Sequence, residues 1–473
     1  MRPDSLKLID REIEEYASNG RLNGHNYVDD RPNFEHTDLG NAERFVHRFG
    51  HNLMFCKPWS SWLAFNEIRW KVDDTGGENR YAYELVRQMQ REAVEIKDSD
   101  ARDSAMKWAR RSQSASKLRA MVNLAESMVP VLPEALDADN YLLNVKNGTV
   151  DLTTGRLRPH RQNDLITKLA PVTFRRDATC PRWERHLLEV FDGDAELARY
   201  LKRNVGYAMT GDVSEQIITI LYGSGANGKG VTTNTIMHVL GDYAQSTRPD
   251  LLLSRRAGNG PTPGEAALKG ARFVSTSETG SGQKFDEATV KRLTGGDRIR
   301  ARFNRQDEFE FDPTHKLWLA TNHKPRIEGT DFAIWRRIHL VPFTVTFTEE
   351  KRDRDLEDTL KDEASGILNW MIEGCLMWQQ EGLKPPQAVQ KATSEYKSEM
   401  DVLAGFLEDC CETGIDEMEV KASRLYAEYK QWCDRTGEHA ETQTGFGTRL
   451  SERGFDKKRK NDGNWYVGIG IKQ

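Results

Sequence analysis

The chain has 473 residues and a mass of 54.0 kDa, room for about three domains at roughly 150 residues each. Hydrophobic residues make up 37% and charged residues 30%; no apolar run approaches the roughly 20 residues of a spanning helix, and the opening MRPDSLKLIDREIEEY lacks the apolar core of a secretory signal, so a membrane or secreted class is not expected. With 68 basic and 73 acidic residues the formal net charge is −5, so any nucleic-acid binding must rest on local patches.

From Asp4 to about Arg44 the sequence is polar and weakly patterned. Ala42–Phe49 has helical spacing, and Asn52–Val72 carries NLMFC, SWLAFN and EIRWKV, which predict two or three short strands. Glu78–Ile96 and Ala101–Met128 are proline-free helical patterns. Leu142–Arg158, with Asn-Gly and Thr-Gly turns, reads as a hairpin, and Trp183–Met209 returns to helix. A first domain boundary is expected near Pro171–Pro181. Beyond it, strand-like runs at Gln216–Tyr222, Ala271–Ser277, Lys316–Ala320 and Ile338–Phe343 alternate with helical segments such as Val231–Leu240. That alternation predicts an α/β layer with a mainly parallel sheet. Glu349–Glu363 reads as a solvated helical face, Gly382–Pro386 as a break, and Leu403–Gln473 as a small separate domain.

The strongest motif is Gly223-Ser-Gly-Ala-Asn-Gly228-Lys229, placed after a strand and before a helix. Glycines allow positive φ and turn N–H groups inward, and the helix start favours phosphate. The expected nucleotide cradle is Gly223, Ser224, Gly225, Ala226, Asn227, Gly228, Lys229, Gly230, Val231 and Thr232, with Lys229 on the β and γ phosphates. The usual GxxxxGK(S/T) pattern has a hydroxyl where this chain has Gly230; Thr232, Thr233 or water is the alternative magnesium partner. Hydrolysis needs more than the loop. The run FVSTS ends at Glu278, an acid that can polarise water and help hold magnesium, and KLWLATN ends at Asn322, an amide that can orient water. The paired Arg336 and Arg337 follow, cations suited to transition-state charge on a neighbour's nucleotide.

YGSGANGKGV, LKGARFVSTSET, FDEATVKRLTGGDRIRAR, FEFDPTHKLWLATNHKPRI and GTDFAIWRRIHLVPF, in that order, resemble the superfamily 3 helicases. More closely they resemble the phage, plasmid and poxvirus primase–helicase family, and LLNVKNGTVDLTTGRL resembles that family's helicase-preceding domain. The resemblance implies an AAA+ (P-loop) ATPase ring, usually a hexamer, moving 3′-to-5′ on DNA with ATP and Mg2+. It implies Lys229 as the loop lysine, Glu278 as the metal-side acid, Asn322 as the sensor, and either Arg336 or Arg337 as the finger. No paired-Asp primase motif or zinc ligand set precedes the helicase motifs, so a helicase part without primase is expected, with a separate primase or polymerase as a further partner.

Lys291 to Arg305 holds six bases against Asp297, in a pattern that predicts a hairpin. In the family such a hairpin grips DNA; Lys291, Arg298, Arg300, Arg302 and Arg305 are its candidates here, Arg305 near the tip. The face of Arg298, Arg300 and Arg302 either lines the channel or pairs with acids of the next subunit. At the C-terminus three helical runs precede a hairpin turning at Asn461–Gly463, a winged-helix pattern with Arg449, Arg453, Lys457, Lys458, Arg459 and Lys460 as DNA candidates.

The expected fold is thus an α/β AAA+ core with a mixed α+β N-terminal domain and a winged-helix-like C-terminal domain. The expected boundaries are 1–175, 176–350, 351–400 (helical extension) and 401–473. The expected function is an ATP-dependent ring helicase on single-stranded and forked DNA for a phage, plasmid or integrated element. The alternatives are an origin-binding initiator and a ring ATPase that remodels DNA without processive unwinding. Six cysteines without CxxC or metal spacing fit a reducing, cytoplasmic setting.

Overall fold

The computed structural model describes residues 34–254, 263–277, 280, 282–302, 307–329, 331–415 and 417–472. Of these, 34–64 with 72–131 form one compact unit, and 65–71 with 132–472 the other.

The first unit is mainly helical. Helix α1 (Asp38–Phe49) is followed by strands β1 (Leu53–Cys56) and β2 (Ser61–Phe65); residues 65–71, which belong to the other unit and hold most of strand β3 (Trp70–Val72), intervene before α2 (Gly77–Glu95), α3 (Ser99–Arg111) and α4 (Ala115–Ala125). The β1–β2 hairpin pairs Leu53 with Ala64 and Cys56 with Ser61. Phe45, Leu53, Phe55, Trp62, Leu85, Met89 and Met121 share its core. The single helix expected over 101–128 is broken in two. Ser112 is buried and accepts from Asn41 Nδ2 at 3.0 Å, and Ser114 caps the new helix through Lys117 N. Serine offers the backbone a local partner and so favours such a restart.

The second unit opens with an antiparallel meander, β4 (Leu142–Val145), β5 (Gly148–Asp151) and β6 (Arg156–Arg158), followed by α5 (Pro181–Val190) and α6 (Ala195–Ala208). The last two replace the one helix expected over 183–209. Asp192 and Gly193 have φ of 53° and 82°, and Asp194 caps α6 through Leu197 N. The compact units also divide well before the expected boundary near Pro171. Leu143, Val145, Val150, Leu152, Ala170 and Val172 bury in one core with Trp183, Tyr207, Leu240 and Trp378, which ties the meander to the helices that come after it in the chain.

The remaining elements run β7 (Ile218–Tyr222), α7 (Lys229–Leu240), β8 (Ala244–Thr247), α8 (Pro263–Ala266), β9 (Phe273–Ser277), α9 (Glu287–Thr294), β10 (Ile299–Arg302), β11 (Glu308–Phe311), β12 (Lys316–Thr321), α10 (Phe332–Trp335), β13 (Ile338–Pro342), α11 (Leu356–Asp362), α12 (Ala364–Glu381) and α13 (Gln387–Met400). Five strands form one parallel sheet in the order β13-β7-β12-β9-β8. Alternate residues feed two cores. Leu221, Phe273, Trp318 and Val341 face α6, α7 and α12, whereas Ile220, Val274, Leu319 and Leu340 face Val290, Ile334 and Tyr396. A sheet buried on both faces is why its strands read as continuous apolar runs. The polar edge strand β8 carries no such signal.

Register sets the site. Tyr222 lies beside Thr321 and Pro342, and Ser277 beside Ala320, so β7, β9, β12 and β13 end at one edge. Residues after Met400 form α14 (Val402–Cys410), β14 (Cys411–Thr413), β15 (Glu419–Lys421), α15 (Ala422–Thr436), α16 (Gln443–Glu452), β16 (Lys457–Lys460), β17 (Gly463–Val467) and β18 (Ile469–Ile471). They bury a core of their own around Phe406, Tyr429, Trp432 and Phe446. β15, β17 and β16 make one small sheet, and β14 pairs with β18.

Candidate functional site

The loop between β7 and α7 is shaped by residues at positive φ: Gly225 at 89°, Ala226 at 48° and Gly228 at 85°. Its back is closely packed. A Cβ on Gly223 would stand 2.1 Å from Phe343 O, and one on Gly228 would stand 2.5 Å from Val190 Cγ1. Phe347 N donates to Ala226 O at 2.8 Å, and Asn227 Nδ2 to Phe343 O at 3.3 Å. The segment after β13 therefore braces the loop, and Ser224 Oγ lies 3.2 Å from Thr346 Oγ1.

Lys229 is buried at the start of α7. Its Nζ donates to Gly223 O at 2.7 Å, Asn227 Oδ1 at 3.0 Å and Asn322 Oδ1 at 2.9 Å. The expected lysine and the expected amide, 93 residues apart, thus meet at the strand ends. β9 ends at the same edge; Glu278, the expected acid, lies outside the described residues. Val231 is half-buried on the first turn of α7.

Thr232 points away from this edge. It is fully buried, its hydroxyl donates to Gly228 O at 2.9 Å, and His186 Nε2 is 3.0 Å from Thr232 Oγ1. Burial, and then the nearby Arg182 charge, lower the His186 imidazole to about 4, so it is neutral at pH 7. Thr233 Oγ1 likewise bonds back to the carbonyls of Lys229 and Gly230 at 3.1 Å each. Gly230 has no hydroxyl and stands in open space. Among the described residues no three His, Cys, Asp or Glu side chains converge on a metal position. The Thr232 and Thr233 hydroxyls are thus engaged by backbone carbonyls, and the expected acid Glu278 lies outside the described residues. His186 was invisible in the sequence, where nothing links it to a threonine 46 residues on.

The two arginines differ. Arg336 is exposed and Nη2 donates to Gln216 Oε1 at 2.7 Å. Arg337 is buried; Nε donates to Thr294 Oγ1 at 3.1 Å and Nη1 to Ala333 O at 2.6 Å.

The expected hairpin is present as β10–β11, with Arg300 opposite Glu310 and Arg302 opposite Glu308. Phe303–Gln306, and with them Arg305, lie outside the described residues. Two of the three arginines on this face pair with nearby acids: Arg298 with Asp312, and Arg300 with Glu308 and Glu310, whereas Arg302 is exposed with no ion pair among the described residues. Lys291, on α9, pairs with Asp331. Farther on, Arg449 pairs with Glu441 at 2.7 Å and also donates to Glu328 O, and Arg453 pairs with Asp401. Arg449 on α16 and Arg453 just after it are committed within the unit. Lys457, Lys458, Arg459 and Lys460 are exposed along β16, with Lys460 paired to Glu419.

Three family descriptions match the chain: D5 N terminal like over residues 42–192, a family of unknown function over 221–337, and Poxvirus D5 protein-like over 398–467. Among curated relatives, the chain is 26% identical over 320 residues to "Putative helicase L207/L206" of Acanthamoeba polyphaga mimivirus, covering 63% of this chain and 33% of that protein. It is 23% identical over 411 residues to "Putative helicase 184R" of Invertebrate iridescent virus 6, covering 77% and 42%. It is 25% identical over 214 residues to "Putative primase C962R" of African swine fever virus, covering 43% and 22%. The chain thus spans at most about two fifths of the length of these relatives. Among solved structures, it is similar to the A form apo structure of the NrS-1 C terminal region, with a TM-score of 0.48 and 10% identity over 92% of this chain and 100% of that one. No helix among the described residues is long and apolar enough to cross a membrane.

Proposed function

The chain belongs to the D5-like primase–helicase family, and on that premise we propose that it is an ATP-hydrolysing DNA helicase of superfamily 3 type, with an AAA+ core, acting as a ring in the replication of a phage, plasmid or integrated element. The observation that carries this reading is the 2.9 Å bond from Lys229 Nζ to Asn322 Oδ1, which joins the loop after β7 to the end of β12. Loop N–H groups and Lys229 bind the β and γ phosphates of ATP, Lys229 exchanging one of its oxygen partners for a phosphate oxygen. Asn322, at the neighbouring strand end, orients the attacking water. Arg336, exposed where Arg337 is buried, supplies the cation that acts on the next subunit's nucleotide. After Met400, three helices followed by the β16–β17 hairpin support a winged-helix reading, in which Lys457, Lys458 and Arg459 lie on DNA phosphates.

A fork-unwinding assay, with ATP turnover followed with and without single-stranded DNA, tests the reading. Lys229→Ala abolishes both activities; normal turnover in that variant refutes the site. Mixing Lys229→Ala with Arg336→Ala protein restores part of the ATPase if the two residues act across a subunit interface. Steady DNA-stimulated turnover without strand displacement would identify a remodelling ATPase instead. Origin binding without sustained turnover would identify an initiator. Light scattering with nucleotide and DNA gives the ring size, expected to be six.

A further inference from the structure

We propose that the turn joining α3 to α4, in the first unit, is an additional contact for the phosphate backbone of DNA. This inference rests on the helicase reading above and adds to it a site on a different part of the chain. Residues 104–125 hold five cations, Lys107, Arg110, Arg111, Lys117 and Arg119, and no acid; the flanking acids are Asp103 and Glu126. In a chain whose 73 acids outnumber its 68 bases, such a stretch is a local concentration of positive charge and not a reflection of composition.

The fold keeps this charge on the surface. On α3, Ala109 is fully buried, while Lys107, Arg110 and Arg111 are exposed. At 3.6 residues per turn these three occupy a sector of about 100° opposite Ala109. The break at Ser112–Ser114 then starts α4, on which Arg119 is exposed. Lys117 plays another part: it pairs with Asp38 at 2.8 Å and lies over the Trp108 ring, fixing the turn against α1. Lys107, Arg110, Arg111 and Arg119 have no ion pair and no side-chain hydrogen bond among the described residues. Among the cations singled out by sequence, Lys291, Arg298, Arg300, Arg449, Arg453 and Lys460 each have a carboxylate partner, whereas Arg302, Lys457, Lys458 and Arg459 have none among the described residues and resemble this patch in that respect. Clustered cations without acids attract a polyanion from outside. Three of the four are arginines, whose forked guanidinium matches phosphate oxygens.

The same surroundings favour the sugar–phosphate chain over the bases. The nearby aromatic ring, Trp108, is already engaged: its N–H donates to Asn41 Oδ1 at 2.9 Å, and His36 stacks on it. Contact through cations alone positions a strand without reading its sequence. An acidic protein segment is the rival polyanion.

The test uses the full chain and a quadruple variant, Lys107→Gln, Arg110→Gln, Arg111→Gln and Arg119→Gln. Binding to labelled single-stranded, duplex and forked DNA of two unrelated sequences is measured by anisotropy across a salt series. The variant binds all sequences more weakly, and log Kobs against log[salt] becomes shallower by about 0.9 per lost contact on duplex and about 0.7 on single strands, so by about 2–4 in all. ATP turnover without DNA and the unfolding midpoint stay at wild-type values. Arg110→Lys, Arg111→Lys and Arg119→Lys together keep the wild-type slope. An unchanged affinity and slope in the quadruple variant overturns the inference while leaving the helicase reading intact. Wild-type protein that binds no DNA at any salt sinks the helicase reading and this inference with it. Loss of polyglutamate binding with DNA binding unchanged assigns the patch to an acidic protein and overturns the DNA proposal.

Discussion

Replacing Arg336 and Arg337 one at a time separates a reaction role from a folding role at adjacent positions. Arg336 is exposed and its guanidinium bonds one neutral acceptor, Gln216 Oε1. Losing that contact costs folding under about 1 kcal/mol. As the cation acting on a neighbour's nucleotide, however, it is worth a factor of about 10³–10⁵ in turnover, roughly 4–7 kcal/mol at the barrier. Arg337 is the reverse. At 8% exposure it satisfies Thr294 Oγ1 and Ala333 O. Hydrogen bonds from a charged donor contribute about 1.5–3 kcal/mol each. The Thr294 hydroxyl keeps its own bond to Val290 O at 2.7 Å, so Arg337→Ala is expected to cost about 2–4 kcal/mol in total. Thermal unfolding read alongside ATP turnover in assembled rings tests both halves. Arg336→Ala unfolds like wild type and turns over at least about a thousandfold more slowly; Arg337→Ala unfolds at visibly lower temperature and turns over normally while folded. A folded but inactive Arg337→Ala beside an active Arg336→Ala would refute the assignment.

Gly228→Ala forces a side chain onto φ of 85° and to 2.5 Å from Val190 Cγ1, so nucleotide affinity measured by fluorescent-analogue titration falls at least about tenfold; Gly230→Ser, with nothing within 4 Å of its new Cβ, folds and binds as before. Burial lowers the imidazoles of His186, His315 and His339 to about 4, whereas the unfolded chain takes up those protons near 6.5. Their stabilisation is complete above about 6.5 and is lost as pH falls towards 4, at up to about 1.4 kcal/mol per unit for each histidine; urea midpoints that stay level between pH 7.5 and 5 would contradict this. Glu308→Gln with Glu310→Gln leaves Arg300 without its two carboxylates, which raises DNA affinity and steepens its salt dependence if that face lines the channel; affinity unchanged at every salt concentration would place the face elsewhere.

What was legible in the sequence is what local pattern controls. The loop at Gly223–Lys229, the strand ends before Glu278 and at Asn322, and the basic hairpin after Lys291 all come from short-range spacing and from strands buried on both faces. The breaks at Ser112–Ser114 and Phe191–Asp194 were not legible as helix ends, because serine or aspartate inside an apolar-periodic run weakens a helix without forbidding it. The meander β4–β6 looked like part of a preceding domain because its turns are local, whereas its burial against α6 and α12 is decided at long range. His186 backing Thr232, Gln216 holding Arg336, and the opposed orientations of two neighbouring arginines depend on how the sheet edge closes.

The cations carry this distinction furthest. A count of lysines and arginines picked out the hairpin and α16, yet a cation's availability is set by the acids within reach and not by the number of bases nearby. In β10–β11 the antiparallel register brings Glu308 and Glu310 to Arg300, giving exposed pairs that each contribute at most about 1 kcal/mol. Such pairs give way readily to a phosphate, so pairing on that surface weakens a DNA contact without abolishing it. The pair between Arg453 and Asp401 is more enclosed, at 24% and 20% exposure, and Arg449 is 11% exposed against Glu441 and is also bonded to Glu328 O. Breaking these to reach DNA would leave a half-buried carboxylate without its counter-charge, so α16 is better suited to holding its own unit together. DNA contact in that region then falls to Lys457, Lys458 and Arg459 on β16, which are exposed without a carboxylate partner among the described residues.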